Sequence, residues 1–276
     1  MGKELGKGSF GVVFKAKFIK QNLVVALKFE KPTNKRIQFG GTTIPDDYTQ
    51  LSHEFRIMNM MKDTHGFPKI YGGNFQGKMK YYIMQFLNGK TLSGIRKQLG
   101  GRIPTVVLMP IAIQMLVRLE TLHQRGYLQY DIHDGNFMIQ GETVFAIDLG
   151  MAFRYIDKRT GRHIPYGESH LPSNMKHSCY CSREDEEHKA VSRRDELERF
   201  LYVVVRLLIK QLPWDNVKDR HEMARIKRQA TPRQICRGPA VFLVPAFQHV
   251  FSLDFAEDPN YRLIRNVFET RLHEVR

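Results

Sequence analysis

Gln129-Tyr130-Asp131-Ile132-His133-Asp134-Gly135-Asn136, with Ala146-Ile147-Asp148-Leu149-Gly150 after it, decides how this chain folds. Asn136 stands five residues after Asp131, and Asp148 twelve residues beyond Asn136. Apolar runs, Phe137-Met138-Ile139 and Val144-Phe145-Ala146-Ile147, border the polar groups. One carboxylate that can take a hydroxyl proton, with an amide and a second carboxylate suited to hard divalent cations, is the set that phosphoryl transfer requires. Asp and Asn also form turns, which suits Asp134-Gly135 better than Asp131 or Asn136.

Further motifs precede this stretch. Gly6-Lys7-Gly8-Ser9-Phe10-Gly11 carries glycines whose bare backbone lets N–H groups approach phosphate closely. Alone it is equally well a tight turn. A dinucleotide fold needs strand, glycines, then helix; here a strand-like run follows, which favours a hairpin lid. Val25-Ala26-Leu27-Lys28 ends such a run on a lysine, and Glu54 sits amid Ser52-His53-Glu54-Phe55-Arg56. Singly, Lys28 and Glu54 read as ordinary solvated residues. Glycines, lysine, glutamate, then the Asp-and-Asn loop in this order make coincidence a poor explanation.

Around these motifs, β-branched and aromatic runs at 11–18 and 23–29, joined by Lys20-Gln21-Asn22, predict two strands, and two more are expected near 69–71 and 80–86. Residues 31–48, with Pro32, Gly40, Gly41 and Pro45, read as a loop. Leu51, Phe55, Met58 and Met61 recur at helical spacing, and 106–124, 197–211 and 263–272 predict further helices. The result is an α+β chain with a β-rich first part and a mainly helical second part.

Composition narrows the classes. An apolar fraction of 42% in 276 residues is globular rather than disordered. Cys179, Cys181 and Cys236 are too few and too unevenly spaced for a disulfide framework, so a reducing compartment is expected. The first residues carry no apolar signal segment. The longest apolar stretch, 106–117, contains Pro110 and Gln114 and is shorter than a bilayer span. These features predict a soluble intracellular protein without a membrane span, cytoplasmic and/or nuclear. A formal charge of +15 favours anionic partners. Basic patches at Lys158-Arg159-Thr160-Gly161-Arg162, Arg193-Arg194 and 225–237 lack the aromatic pattern of a nucleic-acid binder. A solvated basic face explains them as well as a specific anion site. His163, His170, His177, Cys179, Cys181 and His188 cluster without a C-x-x-C knuckle, so scattered loop residues are favoured over zinc.

Together the motifs resemble the eukaryotic protein kinases, and within them the casein kinase I group, as a divergent member. The resemblance rests also on Tyr155-Ile156-Asp157, His163-Ile164-Pro165-Tyr166, Ser192-Arg193-Arg194-Asp195-Glu196-Leu197-Glu198, Leu212-Pro213-Trp214, and Asp258-Pro259 with Tyr261. It implies one kinase domain over 1–276 with a bilobal fold: an N-lobe at 1–86 holding the Gly-rich loop, and a C-lobe at 87–276 holding the catalytic loop and activation segment. It implies ATP and magnesium as cofactors, with transfer of the γ-phosphate to serine or threonine hydroxyls of proteins; the net charge adds the expectation that these are acidic or otherwise anionic. Lys28 would meet the α- and β-phosphates, braced by Glu54; Asp131 would be the base; Asn136 and Asp148 would hold the metal. Gly6, Lys7, Gly8, Ser9, Phe10 and Gly11 would cover the phosphates. Val13, Ala26, Met138 and Ile147 would line the adenine slot, beside a hinge at Met84, Gln85 and Leu87. Asp195 would brace the catalytic-loop backbone.

The departures cluster at the active loop. Gln129 and Tyr130 replace a His and an Arg, and His133 stands where a Lys steadies the transferring phosphate, which weakens that cation. Cys179 occupies the place of an arginine implicated in binding phosphorylated substrates, with Arg183, Arg193 and Arg220 as candidates to compensate. An active kinase is the first expectation; the alternative is an ATP-binding pseudokinase acting as an interaction module. A small-molecule phosphotransferase is disfavoured by the segments around Ser192 and Trp214.

Overall fold

In the computed structural model the described residues are 2–8, 11–31, 49–77, 79–169 and 179–276. They form two compact units, Met1–Lys90 with Phe137–Ala152, and Thr91–Asn136 with Phe153–Arg276. Neither unit is a single stretch of sequence. Phe137–Ala152, which the sequence grouped with 87–276, packs with the first ninety residues.

The first unit is built on an antiparallel five-stranded sheet. In chain order its strands are β1 (Glu4–Lys7), β2 (Gly11–Phe18), β3 (Leu23–Glu30), β4 (Ile70–Asn74) and β5 (Tyr81–Gln85), arranged β1-β2-β3-β5-β4. β2 and β3 pair without interruption from Gly11↔Glu30 to Phe18↔Leu23. The turn between them closes on Asn22, whose φ of 50° lies in the left-handed region that Asn tolerates better than most side chains. The register sets Val13 opposite Lys28 and Lys28 opposite Tyr82, and puts Lys15, Ala26 and Met84 in line beside them. Residues two apart in a strand share a face, so both rows lie on one side of the sheet.

Against the sheet packs α1 (Gln50–Met60), started by a reciprocal Thr49–Ser52 capping box that satisfies otherwise orphaned N–H groups. Ala26, Leu51, Tyr82 and Met84 form a buried cluster, with Val13, Phe55, Ile70 and Phe75 against it. The short β6 (Lys90–Thr91) and β7 (Tyr127–Leu128) come next in the chain, then the hairpin of β8 (Phe137–Gln140) and β9 (Thr143–Ala146). Gly141, at φ 58°, makes the tight hairpin turn possible. The predicted loop at 31–48 lies, from 32 onward, outside the described residues.

The second unit is helical: α2 (Leu92–Gln98), α3 (Thr105–Gln124), α4 (Arg183–Glu186), α5 (Arg193–Ile209), α6 (Arg220–Gln229), α7 (Pro232–Ile235), α8 (Val244–Ser252) and α9 (Tyr261–Val275). A two-stranded ribbon pairs β7 with β10 (Phe153–Arg154). α5 begins at Arg193 rather than 197, because its charged first turn is closed by the Ser192–Asp195 capping box rather than marked by apolar spacing. Leu197, Phe200, Leu201, Val204 and Leu208 are buried along it.

α3 forms the helix predicted at 106–124. The helix runs for 20 residues, well past the apolar stretch at 106–117, and by length and composition alone it could cross a membrane. Leu108, Ala112, Met115, Leu116, Leu119 and Leu122 are fully buried, and α3 packs against α9 and α5. A core helix has that pattern.

Candidate active site

In the first unit, the glycine motif is the tip of the β1–β2 hairpin. Gly6 lies opposite Val13 and Lys7 opposite Val12, and Gly8 N–H donates to the Gly11 carbonyl at 2.9 Å. A Cβ on Gly11 would lie 2.6 Å from the Phe29 carbonyl oxygen and 3.4 Å from Lys28 carbons, so only glycine fits beside the lysine stem. A Cβ on Gly6 would meet nothing within 4 Å, which leaves open space over that backbone. Ser9 and Phe10 lie outside the described residues.

Lys28 Nζ sits 2.7 Å and 2.6 Å from Glu54 Oε1 and Oε2, and 3.5 Å from Asp148 Oδ2. Tyr82 OH donates to Glu54 Oε1 at 3.0 Å. Burial works against the charge on Lys28, but Asp148 and Glu54 outweigh it and hold the ammonium protonated well above the usual lysine range. Burial likewise pushes the Glu54 carboxyl up, against the pull of Lys28. Asp148 retains a partly exposed carboxylate, with Oδ1 accepting from Gly150 N–H at 2.9 Å. Val13 and Ala26, assigned to the adenine slot, and Met84, assigned to the hinge, pack in one cluster. Gln85, Leu87, Met138 and Ile147 are half-buried in the same unit.

In the second unit, Asn136 Nδ2 donates to the Asp131 carbonyl at 2.9 Å and to Asp131 Oδ2 at 3.3 Å. His133 Nε2 lies 3.4 Å from the same Oδ2. Both of these carboxylate contacts go to Oδ2 rather than Oδ1. Burial would raise the Asp131 carboxyl, yet His133, Arg199 and Asn136 together hold it below the usual carboxylate range. Asp134 does structural work, accepting from Arg96 Nε at 2.8 Å.

Tyr130, at φ 66°, occupies a backbone region unusual for a bulky side chain. Three bonds hold it there. Its N–H donates to Glu196 Oε1, its carbonyl accepts from Arg199 Nη1 at 2.6 Å, and its hydroxyl donates to Asp185 Oδ1 at 2.8 Å. Arg199 also lies 4.3 Å from the Tyr130 ring centroid and bonds Asp185 Oδ2 at 2.6 Å. The carboxylate that braces the loop is thus Glu196, not Asp195. Glu196 Oε2 meets His123 Nε2 at 2.8 Å, and His123 Nδ1 meets Tyr261 OH at 2.6 Å. Asp195 instead accepts from Ser192 N–H at 2.8 Å and closes the start of α5. The Ser192-x-x-Asp195 spacing held that signal, since it commits Asp195 to its own helix end.

The proposed substitutes for an arginine at position 179 are already engaged. Arg183 pairs with Glu198 at 3.2 Å, Arg193 with Asp258, and Arg220 with Glu186 at 3.9 Å. Cys179 Sγ instead accepts from Arg206 Nη1 at 2.7 Å, and Arg206 also faces Asp215 at 3.3 Å. Of the His and Cys cluster, Cys181 is buried and His163 packs its ring 4.8 Å from Phe255; His170 and His177 lie outside the described residues.

The family pattern described as Protein kinase domain matches residues 1–271. The chain belongs to the protein kinase family. It is 29% identical over 281 residues to casein kinase I homolog 2 of Schizosaccharomyces pombe, covering 98% of this chain and 61% of that protein. With casein kinase I homolog 3 of the same organism it shares 28% identity over 284 residues, covering 99% of this chain and 61% of the relative. This kinase domain therefore spans about three fifths of the length of these relatives. The likeness supports the casein kinase I group. The β-rich first unit and helical second unit agree with the bilobal kinase fold that the sequence implied.

Proposed function

We propose that this domain transfers the γ-phosphate of ATP to serine or threonine hydroxyls of proteins. The observation that carries this reading is the buried Lys28 ammonium, held by both oxygens of Glu54 and facing Asp148. A cation fixed so tightly has its charge and position set before an anionic ligand arrives. The Asp148 carboxylate and the Asn136 amide oxygen are hard donors of the kind magnesium takes, so the donor chemistry fits the metal. When bound, magnesium supplies charge neutralisation on the phosphate oxygens.

The chain's own residues do the rest. Lys28 binds the phosphates, Glu54 keeps its ammonium in place, and the glycine backbone of the hairpin tip leaves room for phosphate oxygens. Asp131 Oδ1 orients the acceptor hydroxyl and takes its proton, while Asn136 fixes Oδ2. A weakly basic carboxylate suffices, because a loose transition state asks for little proton abstraction before the phosphoryl group moves. The net charge of +15 supports anionic protein substrates. Recognition of a pre-phosphorylated residue finds no support at position 179, where Arg183, Arg193 and Arg220 are spoken for.

His133 against Asp131 favours a second reading, a domain that binds ATP with little turnover, since an imidazole replaces a full cation there. Radiolabelled ATP with casein or a basic protein decides between them. Transfer above an Asp131→Asn control supports the kinase. ATP–magnesium stabilisation in a thermal-shift titration, without such transfer, supports the binding module.

A further inference from the structure

α1 presents Gln50, His53 and Glu54 at spacings of three and four, so they share one face of the helix. Each serves the segment that begins at Asp148. Glu54 holds Lys28, which faces Asp148 Oδ2. Gln50 Nε2 donates to the Gly150 carbonyl, and His53 Nε2 meets the Ala152 carbonyl at 2.6 Å. The carbonyl can only accept, so His53 carries its proton on Nε2. Within the segment, Gly150 N–H donates to Asp148 Oδ1, and Ala152 N–H closes a turn onto the Leu149 carbonyl at 3.0 Å. Leu149 is fully buried and His53 nearly so, which shields these bonds from water.

The consequence concerns the orientation of one carboxylate. Asp148 Oδ1 is aimed by Gly150, and Gly150 is itself held by Gln50. The turn that carries both is pinned at its far end by His53. Glu54 acts on Asp148 through charge, whereas Gln50 and His53 act on the backbone that aims it. We propose that Gln50 and His53 are positioning residues for the metal-holding Asp148, so that α1 sets magnesium affinity separately from nucleotide affinity. This rests on the nucleotide–metal site assigned above. Partners that orient a metal ligand commonly change metal affinity by about 10-fold or more when removed.

The test uses the whole chain and a fluorescent ATP analogue, titrated with magnesium and separately in EDTA. Gln50→Ala, Gln50→Glu and His53→Ala should each raise the half-saturating magnesium concentration about 10-fold. Affinity in EDTA should stay within about 2-fold of the parent, because Lys28 and Glu54 are untouched. His53→Gln, which keeps an amide donor, should recover most of the loss. Gln50→Glu keeps the size of the side chain and covers the case in which an alanine variant fails to fold. Parental magnesium dependence in all the variants overturns the proposal, as does an equal loss with and without metal, which marks a merely structural role. If the parent binds no nucleotide under either condition, the site assignment itself fails and the proposal falls with it.

Discussion

His133 Nε2 lies 3.4 Å from Asp131 Oδ2, while its Nδ1 accepts from Gly135 N–H at 3.0 Å. The imidazole is thus locked with a proton toward the base. It helps to hold Asp131 ionised, but it spends its donor on the carboxylate instead of on phosphate. His133→Lys frees a longer, permanently charged side chain for the transferring group. Turnover should rise about tenfold, equivalent to about 1.4 kcal/mol of transition-state stabilisation. An unchanged kcat in a steady-state ATP assay would show that the phosphate contact does not run through this position.

Glu196 carries more of the catalytic loop than its acidic neighbour does. It is buried, accepts the Tyr130 N–H and faces His123. Glu196→Ala should destabilise the domain by about 3–5 kcal/mol, the usual cost of stripping one partner from a buried charged network. Release of a strained Tyr130 backbone should also lower transfer at temperatures where the variant stays folded. Glu120→Ala, which breaks the more exposed pair with Arg265, should cost about 1 kcal/mol or less. Urea unfolding of the two variants compares them directly, and similar losses would sink the distinction.

Asp195 makes a prediction in pH. Burial, then repulsion from Glu198, raises its carboxyl from 3.8 to about 6. The folded state therefore binds the proton more tightly than the unfolded chain. The stability this brings is complete below about pH 4 and is lost as pH rises through about 6. Asn at this position can still accept from Ser192 N–H but cannot ionise. Asp195→Asn should accordingly gain on the parent by about 2 kcal/mol between pH 4 and pH 7.5. A gap between the two proteins that is the same at both pH values would falsify this account of the burial.

Much of this was legible because strand alternation and helical spacing are local. The β2–β3 pairing follows from apolar runs flanking Lys20-Gln21-Asn22, and the order of Lys28, Glu54, Asp131, Asn136 and Asp148 carries the family resemblance. Glu196 was missed because two adjacent acids at a helix start look alike until one is seen to close its own capping box. Gln50 and His53 were missed because their partners are carbonyls of Gly150 and Ala152, about a hundred residues away, and a carbonyl leaves no mark in the sequence. The length of α3 was legible, but the burial that makes it a core helix was not.

Lys28 and Glu54 allow stability and function to be pulled apart. Lys28→Met takes the cation from the buried Glu54 carboxyl and leaves it with the Tyr82 hydroxyl and Asp148's like charge. That should cost about 3–5 kcal/mol and abolish nucleotide binding. Adding Glu54→Leu removes the stranded charge and supplies apolar volume next to the cluster of Leu51, Tyr82 and Phe55. Most of the lost stability should return, since a buried ion pair exchanged for apolar side chains is often neutral or better. Nucleotide binding should stay absent, because the Lys28 ammonium beside Asp148 is still missing. Urea midpoints and a fluorescent-nucleotide titration of parent, single and double variants measure both quantities. Recovery of binding in the double variant would remove Lys28 from the site; failure to recover stability would mean that the pair contributes to folding beyond its own charge balance.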